Sequence, residues 1–195
     1  MKKLILASHN PNKAIEIMRI LKGAFSIQTL NEAGIHQDIP EPFNTLEENA
    51  RQKSGFIFQL TGEDCFGEDT GLEVHSLGGE PGVRSARYAG EEAIAEQNIK
   101  KLLEALAGNQ DRDARFRTVI SLIIEGKEYQ FEGICNGKIK TEPAGTKGFG
   151  YDSVFVPVGS EKSFAEMSGS EKDIFSHRRK ALEKMATFLE KFEFH

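Results

Sequence analysis

The sequence has the composition of a folded, water-soluble protein, and its charge excludes some function classes. Its 195 residues are 38% hydrophobic and 28% charged, so the chain is long enough to bury a core of its own. The net charge of −5 excludes the general basic surface that duplex nucleic acid requires. A local group of lysine and arginine side chains could still hold a small anion.

The apolar segments and the cysteines indicate the cellular setting. No stretch approaches the ~20 apolar residues that a membrane helix needs, and the apolar run 4–7 is too short for a signal peptide. Cys65 and Cys135 lie far apart and suggest no disulfide framework. We therefore expect a single domain spanning 1–195, without a membrane partner and located in the reducing cytoplasm.

Predicted elements alternate from the start of the chain. The run 4–7 predicts a buried strand, and residues 8–13, SHNPNK, predict the turn after it. The next apolar residues recur at the spacing of one helical face, at Ala14, Ile17, Met18 and Leu21. Thr45 and Glu48 form a capping box that predicts the start of a second helix.

The second half of the chain adds two helices and a hairpin. Helices are predicted over 91–107 and from near Ser176, and the second of them has an apolar stripe of Leu182, Met185, Leu189 and Phe192. The β-rich segments 116–124 and 128–139 flank a turn at Glu125 and predict consecutive antiparallel strands. A hairpin inside an alternating pattern predicts an α/β fold with a mixed sheet, with two lobes and a cleft as one form of it.

The turn SHNPNK is a candidate anion site. It connects a predicted strand to a helix whose first N–H groups and dipole favour a negative ligand. Lys13 lies in the first helical turn, where a cation is unfavourable to the dipole, which suggests that it points at a ligand. The alternative is an ordinary helix cap with Lys13 in solvent.

Two neighbouring carboxylates, Glu68 and Asp69, stand in the segment FGEDTGLEV. Neighbours in a regular strand point to opposite faces, so both could serve one site only if the strand breaks at Thr70-Gly71. Asp69 could then meet a metal ion or a water molecule while Glu68 supports it from nearby. Mg²⁺ needs only one or two protein carboxylates. The alternative is a solvated acidic loop.

Three later segments contain further candidates. The glycine-rich loop 78–90 is interpreted mainly as structural, with a phosphate loop or an interface as alternatives. In the segment 145–155, Phe149 lies between two glycines and could stack on a base, whereas Tyr151 more simply fills the core. Lys172, His177 and Arg178 could read an anion or a base edge, or be exposed cations of an amphipathic helix.

Taken together, these segments resemble a known family. They are similar, in order, to signature segments of the Ham1-like inosine triphosphate pyrophosphatase family, over residues 4 to about 190. The matching stretches are SHNPNK, TLEENARQK, EDTGLEV, GGEPGVRSARYAG, GFGYDSVF and EKDIFSHRRKAL. The resemblance implies an elongated, two-lobed α/β fold with a central nucleotide cleft, and a homodimer.

The resemblance also implies an activity. Members hydrolyse non-standard purine nucleoside triphosphates (ITP, dITP and XTP) to the monophosphate and pyrophosphate with Mg²⁺. This clears the nucleotide pool and keeps such bases out of DNA and RNA. Two rivals remain: a Maf-type pyrophosphatase for modified pyrimidine nucleotides, and a nucleotide-binding protein without activity.

Residue roles carry over by position only. Asp69 is expected to be the base that activates water and, with Glu41, a ligand of Mg²⁺. Thr70 is expected to touch the substrate. The residues expected to hold the triphosphate are Ser8, His9, Asn10, Pro11, Asn12 and Lys13. Those expected to enclose the base are Phe149, Gly150, Tyr151 and Asp152, and those completing the phosphate and 6-oxo contacts are Lys172, His177 and Arg178.

The sequence departs from the family pattern at three of these places. Ser8-His9-Asn10 replaces the usual Thr-Gly-Asn at the start of the first loop. Pro42-Phe43-Asn44 replaces the usual Thr-Gly after Glu41, and Glu68-Asp69-Thr70-Gly71 replaces Asp-Asp-Ser-Gly. The threonine keeps a hydroxyl, whereas Glu68 is longer than the usual aspartate.

Overall fold

A computed structural model describes residues 3–21 and 25–193. Within these ranges the strands are β1 (Lys3–Leu6), β2 (Ser26–Thr29), β3 (Cys65–Val74), β4 (Pro81–Gly82), β5 (Asp113–Ile124), β6 (Lys127–Ile139) and β7 (Phe155–Pro157). The α-helices are α1 (Pro11–Ile20), α2 (Leu46–Thr61), α3 (Ala95–Ala105), α4 (Gly169–Phe175) and α5 (His177–Lys191). No helix in the described ranges is long and apolar enough to cross a membrane.

The chain divides into two compact units. The first comprises Met1–Asp69, Thr118–Gly133 and Arg178–His195, and the second comprises Thr70–Arg117 and Ile134–His177. Strands β3, β5 and β6 each pass from one unit into the other along the chain. The prediction of one domain over 1–195 and that of a cleft between two lobes stay predictions.

The first unit combines parallel strands with amphipathic helices. Strand β1 pairs in parallel with β2 and with the start of β3. The helices α1 and α5 bury the residues that share their apolar stripes, together with side chains of β1 and β5: Leu4, Leu6, Ile17, Leu21, Ile120, Leu122, Leu182, Met185 and Leu189. The predicted first strand and the predicted stripe of α5 are confirmed, and that of α1 is confirmed except at Met18, which is half-buried.

The second unit is built around aromatic residues. Its core contains Leu72, Leu102, Leu106, Phe116, Tyr151, Phe155 and Phe164. Phe116 and Phe155 meet edge to face with ring centroids 4.7 Å apart. The loop 78–90, interpreted as structural, contains the short strand β4, which pairs antiparallel with β3, and the buried Tyr88.

The strands form a mixed sheet in the order β2-β1-β3-β5-β6-β7, with β4 beside β3, over the described residues. The predicted hairpin is confirmed: β5 and β6 are joined by Glu125 and Gly126, with φ of 49° and 75°. Positive φ at both central residues matches the tight turn that suits a twisted hairpin. The α/β class with a mixed sheet is therefore confirmed.

The helix boundaries differ from the predicted ones in two places. The third helix begins at Ala95 rather than at 91, and a separate seven-residue helix, α4, precedes α5. The capping box at Thr45 is confirmed in part. Its hydroxyl accepts the Glu48 N–H at 3.2 Å, but the Glu48 carboxylate accepts from that hydroxyl at 2.7 Å.

Candidate active site

Glu68 and Asp69 lie on opposite faces of an unbroken strand. Strand β3 continues through Thr70 and Gly71 to Val74, so the break that would let both carboxylates serve one site does not occur. Because side chains alternate along a strand, each carboxylate acquires its own set of partners. Both are buried, with Glu68 1% and Asp69 5% exposed, and both face cations of the first unit.

Asp69 shares a lysine with Glu41. The Lys53 ammonium lies 2.9 Å from Asp69 Oδ1 and 3.0 Å from Glu41 Oε1, and it also donates to the Glu68 carbonyl at 3.1 Å. The Asn49 amide donates to Asp69 Oδ2 at 3.5 Å. Two carboxylates from different segments of the first unit thus converge on one positive charge.

Burial and charge act in opposite directions on this pair. Burial raises the pKa of Asp69, and the attraction of Lys53 and Lys13 offsets that only in part. Burial by itself would lower the pKa of Lys53, but Asp69 and Glu41 together outweigh it and the pKa is raised. Both pKa values are raised because Lys53 is attracted by two carboxylates, whereas Asp69 is repelled by the like charge of Glu41. A carboxylate with a raised pKa is a stronger base.

Helix α2 approaches β3 closely enough for Lys53 to reach Asp69. A Cβ at Gly67 would lie 2.6 Å from the Lys53 Cβ and 2.7 Å from the Ala50 carbonyl oxygen, so only glycine fits beneath the helix. The absence of a side chain at position 67 therefore sets the distance between helix and strand.

Glu68 belongs to a second, buried ion cluster. Its carboxylate accepts from Arg178 Nε at 2.8 Å and Nη2 at 3.0 Å, and it lies 3.1 Å from the Lys13 ammonium. The remaining arm of Arg178 donates to Glu16. Burial alone would raise the pKa of Glu68, but Arg178 and Lys13 more than offset it and hold the pKa well below its usual range. Two negative and two positive side chains thus balance within the first unit.

The segment 8–13 forms the start of α1. The Asn10 side chain caps the helix by accepting the N–H groups of Asn12 and Lys13 at 3.0 and 3.3 Å, and Pro11 occupies the first turn. His9 Nε2 lies 2.9 Å from the Gln37 carbonyl. The segment is therefore a capped helix start, but Lys13 pairs with Glu68 rather than lying in solvent. The predicted phosphate contact of the segment stays a prediction.

In the second unit, Asp152 ties together the segment around Phe149. Its Oδ2 accepts the Phe149 N–H at 2.9 Å and the Lys172 ammonium at 2.7 Å. That ammonium lies 5.1 Å from the centroid of the Phe149 ring, within the range of a cation–π contact. Asp152 and Lys172 are both buried. The arrangement fixes an aromatic ring and a cation next to each other.

Gly148 is expected to be essential for this arrangement. Its φ is +77°, and a Cβ there would lie 2.0 Å from Asp152 Oδ2. Gly150 has a φ of +60°, but no atom lies within 4 Å of the place that a Cβ would take there. Gly150→Ala should therefore lose about 1–2 kcal/mol of unfolding free energy from backbone strain. Gly148→Ala should lose about 3 kcal/mol more, because it also breaks a buried ion pair. Urea unfolding of both variants measures the difference, and equal losses would contradict this account.

The other predicted residues of the second unit have mixed surroundings. Tyr151 is a core residue whose hydroxyl donates to the Ser85 carbonyl at 2.8 Å, as its alternative interpretation expected. His177 stacks on Phe116 with centroids 4.7 Å apart. Thr70 is half-buried on β3. Their contacts with a substrate stay predictions.

The residues predicted to hold Mg²⁺ fit a cation. No group of three His, Cys, Asp or Glu side chains that could hold a metal occurs in residues 3–21 and 25–193. Glu41 and Asp69 nevertheless direct oxygens at one positive charge, the Lys53 ammonium. Because Mg²⁺ commonly binds through one or two carboxylates plus waters and substrate phosphates, this donor set is sufficient for it.

The sequence analysis missed three residues that the geometry shows to be important. Asn49 and Lys53 lie four residues apart on α2, and Glu16 lies three residues after Lys13 on α1. These polar residues lie at helical spacing among the apolar residues of a buried helix face, and that pattern could have identified them as site residues. All three occur inside or beside stretches that carry the family resemblance.

Comparisons with known proteins identify the family of this chain and agree with its fold. The sequence matches the Ham1 family over residues 4–188, and the chain belongs to that family. It is 49% identical to the dITP/XTP pyrophosphatase of Christiangramia forsetii, over 97% of this chain and 100% of the relative. It is 48% identical to the dITP/XTP pyrophosphatase of Porphyromonas gingivalis, over 97% and 98%.

Solved structures show the same relationship. The Staphylococcus aureus Ham1 protein matches with a TM-score of 0.87 at 37% identity, covering 97% of this chain and 98% of that chain. A HAM1 protein from Coxiella burnetii matches with a TM-score of 0.89 at 35% identity, covering 98% and 100%. The family and the fold class predicted from the motifs are thus confirmed.

Proposed function

We propose that the protein hydrolyses non-standard purine nucleoside triphosphates, dITP, ITP and XTP, to the nucleoside monophosphate and pyrophosphate. The observation that carries this proposal is the buried carboxylate Asp69, held 2.9 Å from Lys53 and sharing that lysine with Glu41. Full-length relatives at 46–49% identity that bear the name dITP/XTP pyrophosphatase support it.

Asp69 is assigned the role of general base. Its oxygen takes a proton from a water molecule, whose oxygen attacks the α-phosphorus. The bond between that phosphorus and the oxygen bridging to the β-phosphorus breaks, and pyrophosphate leaves with the electron pair. The raised pKa of Asp69 favours proton uptake. The Lys53 ammonium attracts the carboxylate, with an N–O distance of 2.9 Å.

Charge neutralisation is assigned to the first unit's cations and to a metal ion. We assign the binding of phosphate oxygens to Lys13, whose side chain is partly exposed, and to the positive dipole end of α1. Mg²⁺ held by Glu41 and Asp69 would polarise a phosphoryl oxygen and offset the phosphate charge. Positioning and charge supply most of the acceleration in phosphoryl chemistry.

Base selection is assigned to the second unit. Phe149 offers an aromatic face for stacking, and Lys172 a donor beside it. A donor directed at the 6-oxo group of hypoxanthine or xanthine loses its acceptor when adenine presents an amino group instead, so the site rejects ATP. We also propose, from the family resemblance, a cytoplasmic homodimer.

The test is pyrophosphate release from a panel of nucleoside triphosphates with Mg²⁺. We expect turnover of dITP, ITP and XTP and little from ATP. Preferential turnover of dTTP or UTP would favour the Maf-type alternative instead. Binding of ITP without release of pyrophosphate, in the presence of Mg²⁺, would identify an inactive nucleotide-binding protein.

A further inference from the structure

Asn49 is a buried residue of α2 that makes contacts in two directions. Its side chain is 1% exposed. The amide oxygen accepts the Phe43 N–H at 3.0 Å, and the amide nitrogen donates to the Phe43 carbonyl at 3.1 Å and to Asp69 Oδ2 at 3.5 Å. A primary amide has one oxygen and two N–H groups, so each of these groups is engaged.

The segment that Asn49 holds has no regular structure of its own. Residues 36–43 form neither helix nor strand, and Phe43 is 41% exposed. Because the Asn49 amide binds both the N–H and the carbonyl of Phe43, it fixes the Phe43 backbone against α2. Glu41 lies two residues earlier in the same segment, so its carboxylate is carried to a fixed place.

The third contact of Asn49 connects this segment to the carboxylate of β3. Lys53, one helical turn further along α2, attracts Glu41 and Asp69 by charge. Attraction alone would let the Glu41 segment take many positions, because a lysine ammonium is a point charge on a flexible stem. The planar amide of Asn49 supplies the directional constraint that the lysine lacks.

We infer that Asn49 is a positioning residue that holds Glu41 opposite Asp69 and thereby assembles the divalent-cation site. The inference rests on the proposed function, because that function assigns Glu41 and Asp69 to a divalent cation. Residues that orient metal ligands commonly contribute 10–100-fold to metal affinity, although they do not touch the metal.

Asn49→Ala tests the inference through metal binding rather than activity. Titration with Mn²⁺, followed by electron paramagnetic resonance of the free ion, should give a dissociation constant about 10–100-fold above that of the wild type. Hydrogen exchange of the backbone amides in 41–44 should become faster, because the Phe43 N–H loses its acceptor. Wild-type Mn²⁺ affinity in Asn49→Ala would overturn the inference, as would absence of Mn²⁺ binding by the wild type.

The chain offers a matched control in Asn98. This buried asparagine of α3 makes the same kind of two-point clamp, accepting the Ala89 N–H at 2.6 Å and donating to the Ala86 carbonyl at 2.8 Å. Asn98→Ala should lower stability as Asn49→Ala does, but leave the Mn²⁺ dissociation constant within about twofold of the wild type, since additive effects are expected of distant sites. An equal loss of Mn²⁺ affinity in both variants would show a general effect of destabilisation and overturn the inference.

A second variant covers the case in which Asn49→Ala does not fold. Asn49→Gln keeps the amide but moves it by one methylene, so Mn²⁺ affinity should fall about tenfold, and an unchanged affinity would count against the inference. Failure of the proposed function is separable. A wild type that binds Mn²⁺ but releases no pyrophosphate from dITP would refute the activity, while the variants would still decide the role of Asn49.

Discussion

Asp69→Asn should lower kcat for dITP by about 10³-fold, because the amide cannot accept the proton of the attacking water and is an uncharged, weaker ligand for a cation than a carboxylate. Nucleotide affinity should change much less, since Lys13 and the start of α1 are unaltered. Initial rates of pyrophosphate release give kcat, and calorimetric titration with dITP in the presence of EDTA gives the affinity. A variant that retained more than about a tenth of wild-type turnover would exclude Asp69 as the base.

Unfolding measurements separate this loss from misfolding. Burial raises the pKa of Asp69, so keeping the carboxylate ionised at neutral pH opposes folding. Glu41 remains to balance Lys53 in the variant. The substitution relieves that cost but takes from the buried Lys53 the larger of its two attractions, so we expect the free energy of unfolding of Asp69→Asn at pH 7 to stay within about 2 kcal/mol of the wild type.

Arg178→Met should lower the free energy of unfolding by about 3–5 kcal/mol, the usual cost of removing one partner of a buried ion pair. Arg178 is 2% exposed and binds both Glu68 and Glu16, so its removal takes a positive partner from two buried carboxylates at once. Chemical denaturation at pH 7 measures the loss. A loss below about 1 kcal/mol would contradict the account of the cluster.

Arg179 is a matched control for this substitution. It is the next residue on α5, pairs with Glu183 at 2.6 Å and has a side chain 45% exposed. Exposed pairs one helical turn apart contribute about 0.3–0.5 kcal/mol, so Arg179→Met should change the unfolding free energy by no more than that.

The pH dependence of Arg178→Met gives a further check. Arg178 and Lys13 lower the pKa of Glu68 below its ordinary value of 4.5. In the wild type, the ionised Glu68 therefore stabilises the fold above pH 4.5, and this contribution disappears as the pH falls through the lowered pKa. The difference in free energy of unfolding between the wild type and the variant should be largest near neutral pH and should decrease progressively below pH 4.5.

Local patterns in the sequence predict much of the fold. The buried first strand, the apolar stripes of α1 and α5 and the hairpin around Glu125 follow from spacing and turn chemistry alone. The short helix α4 is not among the predicted elements, although Ser168 and Glu171 form a capping box at its start. Its seven residues are too few to show a repeating apolar stripe, so the capping box is the one local signal that it offers.

The continuation of β3 through Thr70-Gly71 has a tertiary cause. A glycine after threonine favours a turn, but a Cβ at Gly71 would lie 2.6 Å from the Gly82 carbonyl oxygen. The glycine permits a close approach of β4 to an unbroken β3, and nothing within the segment itself shows where β4 will lie. Similarly, Glu68 and Arg178 are 110 residues apart, so their pairing has no local signal.

The alternation of side chains along β3 also limits which insertions and deletions the strand can accept. Glu68 and Asp69 have the same charge, yet each is fitted to different partners by the face on which it falls. Deleting or inserting one residue ahead of them would exchange their faces, presenting the longer acid to Lys53 and the shorter one to Arg178. A change of one residue in length ahead of the strand should therefore disrupt both ion clusters at once, whereas a replacement of either carboxylate disrupts one of them.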